Sequence, residues 1–197
     1  MNDKHIPAGI LFALPIKKSM NSINKQQPEE NMKDLHGEEA VKKMKELTDK
    51  ASSCFFCTDI QTGKPFSVRP MALQEIDNNG TFWFLSATDS HKDHELMKDP
   101  HVQLLFQGSD YSDYLNIYGE ATVSKDKGKI KELWKPIMKT WFTEGIDDPR
   151  ISVIKVEPSD GYYWDTKHNM AIGLIKRVAG AIMGKTLDDS IEGKLNV

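Results

Sequence analysis

Hydrophobic and polar positions change their spacing along the chain, and each change predicts a different element. Between Glu38 and Lys50, Ala40, Met44 and Leu47 recur at helical spacing, Val41 widens the stripe, and lysines and glutamates fill the opposite face. This pattern predicts an amphipathic helix. From Ser52 to Phe106 the spacing becomes that of strands. SSCFFCTDI, FSVRPMALQEI and TFWFLSA read as strands joined at TGKP and DNNG, whose residues favour tight turns. DSHKDHELMKD then predicts a short helix, with Asp89 or Ser90 as N-cap and Pro100 ending it.

HVQLLFQ and YLNIYGEATV continue as strands, and Gly119 marks a bulge or a close backbone approach within the second. A helix over 127–134 leads through Pro136 into IMKTWFTEGIDDPR, which reads as a short helix and an acidic loop. ISVIKVEPSDGYYW supplies the last expected strand, with Ile151, Val153 and Lys155 on one face and Ser152, Ile154 and Val156 on the other. About six strands, mostly joined by hairpins or short helices, predict a mostly β fold closed into an antiparallel barrel, since closure removes exposed edges. Residues 1–34, with an apolar patch from Ile10 to Ile16, are expected as a flexible arm before a domain over 35–170. Residues 171–197 are expected as a C-terminal helix and a polar tail.

Composition narrows the classes. The 197 residues suit one core with appendages. A net charge of −3, from 26 basic and 29 acidic residues, gives no global field to gather nucleic acid or an anionic membrane. No stretch has the roughly 18 consecutive apolar residues of a membrane span, and no convincing cleavage site follows the N-terminal patch, so the expected location is the cytoplasm. Cys54 and Cys57 lie in a strand-like run and not at a helix start, which points to buried, inert thiols. His91 and His94 share a helix without a third close ligand, so no metal is expected. Neither a GxSxG elbow nor a GxGxxG turn occurs, and Glu144, Asp147 and Asp148 read as a solvated loop.

Two cations carry the candidate chemistry. Arg69 precedes Pro70, which biases it to an extended backbone, and Lys92 falls in the first turn of the short helix. If they converge, the helix amides and the hydroxyls of Thr88 and Ser90 would complete a phosphomonoester cradle without a glycine-rich loop. An arginine before proline also serves as an ordinary ion-pair residue, and a lysine beside Asp93 and Glu95 is also at home in solvent. The residues alone leave both readings open.

The run SVRPM, FLSATDSHKDHEL, LLFQ, YGEATV and GYYW resembles the FMN-binding split barrel of the pyridoxamine 5'-phosphate oxidase superfamily, and within it the general stress protein 26 type. The likeness covers roughly Leu35 to Asn169 and implies a six-stranded antiparallel split barrel with short flanking helices. It implies that Arg69 and Lys92, with Ser90 and His91 beside them, hold the phosphate of FMN. Arg69, Pro70 and Met71 on one side, and Phe84, Leu85, Ser86, Ala87 and Thr88 on the other, would border the ring and ribityl chain. Gln107 looks like a glutamine that reaches the flavin from the partner subunit of a homodimer, and Trp141 and Trp164 resemble aromatic positions at the dimer-formed cavity. The resemblance implies a flavin-dependent oxidoreductase acting on a small molecule, or a non-enzymatic flavin-binding module, and the same pattern admits a deazaflavin. No catalytic residue is assigned. His91 stands where the full oxidase has an arginine, and no arginine-bearing C-terminal substrate motif is present, which argues against pyridoxamine phosphate oxidation.

Overall fold

The computed structural model describes residues 31–61, 64–110, 112–167 and 189–197. A two-residue strand β1 (Leu35–His36) precedes helix α1 (Glu38–Ala51). Strands β2 (Ser53–Thr58), β3 (Ser67–Ala72), β4 (Glu75–Ile76) and β5 (Phe82–Ala87) follow, then helix α2 (His91–Lys98). After these come β6 (His101–Gln107), β7 (Tyr114–Ser124), α3 (Lys127–Leu133), two single 3-10 turns at Pro136–Thr140 and Gly145–Asp147, β8 (Ile151–Thr166) and β9 (Ser190–Asn196).

The strands form one nine-stranded sheet in the order β1-β9-β8-β7-β6-β2-β3, with β5 added to β8 and β4 to β5. All named pairings are antiparallel except β1 with β9. The fold is a mostly β split barrel. The strand β8 is the spine, because its 16 residues are long enough to pair with β7 along most of their length, with β5 at one end and with β9 at the other.

The sheet curls around a core in which Phe56, Phe82, Phe84, Leu104 and Ile154 are fully buried, with Phe56 and Phe84 in edge-to-face contact at 5.3 Å. Helix α1 closes one end of the core with Ala40, Met44 and Leu47, the stripe expected from the sequence. Met44 and Leu47 each contribute about 1.5–3 kcal/mol when fully withdrawn from water. A second, smaller cluster lies outside the barrel. Ile130, Leu133, Met138, Phe142, Ile151 and Val153 pack there against Leu85 and Ala87. Both faces of β8 are therefore covered near its start, and Ser152 is buried along with its apolar neighbours.

Three features depart from the expected six strands. FSVRPMALQEI breaks into β3 and β4 because Leu73 donates back to Ser52 O while Gln74 donates to Trp83 O, turning the chain from one side of the barrel to the other. The short β1 lies at the edge, beside β9. The segment expected as a polar tail is instead strand β9, paired with β8. Its alternation is masked because the inward position between Ile191 and Leu195 is Gly193, where a Cβ would sit 2.0 Å from Lys33 O. The expected C-terminal helix falls mainly on residues 168–188, and the arm on residues 1–30, outside the described residues. Asn31 to Lys33 lie against β9, with Lys33 N donating to Glu192 O. The bulge expected at Gly119 is present as a register shift against β8.

Candidate functional site

The barrel does not close between β3 and β5. Among the described residues β3 pairs only with β2, and Leu85 to Ala87 pair only with β8, so two strand edges face each other across a gap. A cavity of about 390 Å³ occupies it, within the range of small-molecule sites. Pro70, Met71 and Ala72 of β3 form one wall, and Leu85, Ser86 and Ala87 of β5 the other. Met138, Trp141 and Phe142 roof it, held there by the second apolar cluster and by Arg150, which reaches Trp141 O at 3.4 Å and the Asp148 carboxylate at 2.7 Å. Among the described residues that line it, Lys92 alone has a titratable side chain.

Helix α2 brings the cation to this place. Ser90 is its N-cap, accepting from Asp93 N, and the preceding β5 aims the helix start across the barrel end. Lys92 Nζ donates to Ser90 Oγ at 3.1 Å. Burial pushes the Lys92 amine below its ordinary pKa, and the positive charge of Arg69 adds to that push, while Asp93, Glu95 and Asp89 oppose it. Arg69 extends from β3 with Nη1 donating to Thr58 Oγ1 at 3.0 Å and Nη2 to Glu95 Oε2 at 2.7 Å. Burial favours the neutral acid of Glu95, but the hydrogen bonds from Thr58 and Arg69 outweigh it and hold the carboxyl below the usual range.

Behind the lysine lies a carboxylate that sequence reading did not single out. Asp93 is 2% exposed and accepts from Ser86 at 2.6 Å, Ser90 at 3.0 Å and Ser152 at 2.6 Å. The protons of the Ser86 and Ser90 hydroxyls thus point away from the cavity. The only advance signal was the Ser-x-x-Asp spacing of a helix cap. Thr58 and Glu95 carried no signal until β3 placed Arg69 over α2.

The predicted residues therefore divide. Pro70, Met71, Leu85, Ser86, Ala87, Lys92 and Trp141 line the cavity and Ser90 accepts from Lys92, while Arg69 is not among the lining residues and its guanidinium is held by Thr58 and Glu95. Phe84 points into the core, Thr88 uses its N–H on Arg150 O, and His91 is exposed at the helix start; none of the three lines the cavity. Gln107 and Trp164 come together elsewhere, in a cavity of about 550 Å³ with Phe55, Leu105 and Tyr114; Pro70 borders both spaces. The thiols of Cys54 and Cys57 are buried and unbridged, and burial raises the pKa of each, as inert thiols require.

The sequence profile of the family described as "Pyridoxamine 5'-phosphate oxidase like" matches residues 39–188. The chain belongs to this family. Among curated relatives of this pyridoxamine 5'-phosphate oxidase-like protein, Protein bli-3 of Neurospora crassa is 30% identical over 149 residues, spanning 71% of the present chain and 70% of its own. General stress protein 26 of Bacillus subtilis is 27% identical over 104 residues, 51% of this chain and 71% of its own. The general stress FMN/FAD binding protein from Xanthomonas citri shares the fold at a TM-score of 0.53, with 20% identity over 62% of this chain and 86% of that one. Among the described residues no helix is long and apolar enough to cross a membrane, and no group of three metal-ligating side chains occurs.

Proposed function

We propose that this protein binds FMN in the gap between β3 and β5, with the phosphate at the Lys92 and Arg69 end and the ring under Met138, Trp141 and Phe142. The observation that carries the reading is a half-buried lysine in a mostly apolar cavity flanked by two strand edges that are unpaired among the described residues. The donor set fits the group. A phosphate needs fixed cations and donors, a flavin ring needs apolar faces with polar contacts at its edge, and an unpaired strand backbone offers such contacts.

When bound, the flavin supplies hydride or single-electron transfer at its ring. The protein's own residues do the rest. Lys92 and Arg69 fix the phosphate, and Met138, Trp141 and Phe142 exclude water from one face of the cavity. No side chain of the described lining besides Lys92 holds a titratable proton. The activity we infer is that of a flavin-dependent oxidoreductase acting on a small molecule and receiving its proton from solvent or substrate. The same scarcity of proton-transfer groups favours the second reading, a non-enzymatic flavin-binding stress or sensor module.

We further propose a homodimer with the cofactor at the subunit interface. Phe55, Leu105 and Trp164 are 57%, 39% and 42% exposed, and Val68 and Tyr118 lie in the adjoining row of the same sheet face. An apolar face of this kind marks an interaction surface. In such a dimer Gln107 and Trp164 of the partner subunit approach the flavin of the first. A cytoplasmic setting suits the two unbridged thiols. The test of function is an absorption spectrum with mass analysis of natively purified protein, then addition of NADH or NADPH and a defined acceptor. A retained flavin that is reduced and reoxidised in turnover supports the enzyme; a retained flavin that stays oxidised supports the module.

A further inference from the structure

The buried Asp93 has no cation in direct contact among the ion pairs of the described residues, yet it collects three hydroxyl protons from three elements: Ser90 of the α2 cap, Ser86 of β5 and Ser152 of β8. A serine has one proton and two lone pairs. With its proton on Asp93, Ser90 Oγ meets other partners only as an acceptor, and it accepts from Lys92 Nζ. Ser86 is likewise committed, although it lines the cavity.

We propose that Asp93 is a positioning residue for the anion end of the cavity: by taking the serine protons it turns the Ser90 lone pair toward Lys92 and so holds the ammonium where a phosphate is bound. The ligand named here rests on the flavin reading above; the geometry does not. A capping aspartate with a merely structural role would also be buried and bonded, so the test must separate the two. Pure electrostatics has the opposite sign from positioning, because a buried anion near a phosphate repels it. Removing the charge of Asp93 should strengthen phosphate binding if it does nothing else.

The experiment compares Asp93→Asn with the unaltered chain, both freed of cofactor, in titrations with FMN and with riboflavin. Positioning predicts that FMN affinity falls about tenfold, the value of one charge-assisted hydrogen bond, while riboflavin affinity is unchanged. Equal or improved FMN affinity overturns the proposal, as does a parallel loss of both ligands. If Asp93→Asn does not fold, Ser152→Ala removes one donor from behind the carboxylate without touching Lys92 or the cavity, and the same contrast decides.

Should the unaltered protein bind neither flavin, the functional reading fails and the role of Asp93 is still measurable. The charged groups facing Lys92 are Asp93, Glu95, Asp89 and Arg69. Competitive acylation of the amine, followed by peptide mass spectrometry across a pH series, then reads its titration midpoint without any ligand. Loss of the Asp93 charge lowers the midpoint by itself, so the same pair is compared in a Ser90→Ala background: a smaller fall there than in the unaltered chain supports the proposal, and an equal fall overturns it.

Discussion

Arg69 Nη2 lies 2.7 Å from Glu95 Oε2, so a strand arginine and a helix glutamate lock β3 to α2 at the end of the cavity. The pair fixes the guanidinium and gives this end of the fold a definite acid limit. The Glu95 carboxyl titrates below its ordinary value, about 4.3 in an unfolded chain. Its contribution to stability is present above that value and is lost as pH falls from there through the lower folded value. Thermal melting of Glu95→Gln and the unaltered protein should therefore differ at neutral pH and converge toward strongly acid pH. A constant difference across the range would contradict the assignment.

Replacing Arg69 by alanine should weaken FMN binding by about 2–5 kcal/mol, the range for truncating one partner of a desolvated, charge-assisted contact. Riboflavin binding should barely change. Arg69→Lys should not restore the loss, because an ammonium does not reproduce the fork that serves Thr58 and Glu95 together. Fluorescence titration of both flavins checks all three statements.

Lys92 supplies a second pH signature, at the alkaline end of the range and with the same sign in stability. Burial depresses its amine, so between that lower value and about 10.4 the unfolded chain binds more protons than the folded one. Stability then rises with pH across this window, while FMN affinity falls as the ammonium is lost. Riboflavin, which shares the ring and lacks the phosphate, is the control, and its affinity should not follow Lys92. Lys92→Met should abolish the FMN-specific part of the pH dependence.

Dimer formation is tested by Phe55→Asp combined with Leu105→Asp. Both side chains are exposed and directly opposite each other on β2 and β6, so folding should survive. Sedimentation should shift from dimer to monomer at micromolar protein, and FMN affinity should fall with it because Gln107 and Trp164 line a cavity separate from that of Lys92 in the same chain. A monomeric unaltered protein that holds FMN would remove the shared site.

Gly119 tests the framework. A Cβ there would meet the backbone oxygen of Glu157 at 2.3 Å, where no flexible side chain can yield. Gly119→Ala should cost about 1–3 kcal/mol through displacement of β7 from β8. At about 2–4 °C per kcal/mol for a chain of this size, calorimetry resolves the change.

Much of this was legible in the chain because the relevant physics is local. The α1 stripe, the β5 and β6 alternation, the Ser90 cap and the Gly119 bulge each follow from a few neighbouring residues. Strand β9 was not, since Gly193 is small for a reason supplied by Lys33, far away in sequence. The cations of the site were readable from Pro70 and the helix start, and family likeness tied them together. Thr58, Glu95, Asp93 and Ser152 were not readable, because their roles arise only where β2, β5, β8 and α2 meet. Phe84 and Leu85 differ for the simplest reason: adjacent residues of a strand face opposite ways, and the core takes one while the cavity takes the other.

The central claim is that one end of the β3–β5 gap holds a phosphate and the remainder holds a flavin ring. The measurement that tests it most directly is the ratio of riboflavin to FMN dissociation constants for the cofactor-free protein at neutral pH. Two cations on one phosphate predict FMN tighter by about 100-fold or more. Equal constants, or no binding of either flavin, would contradict the account.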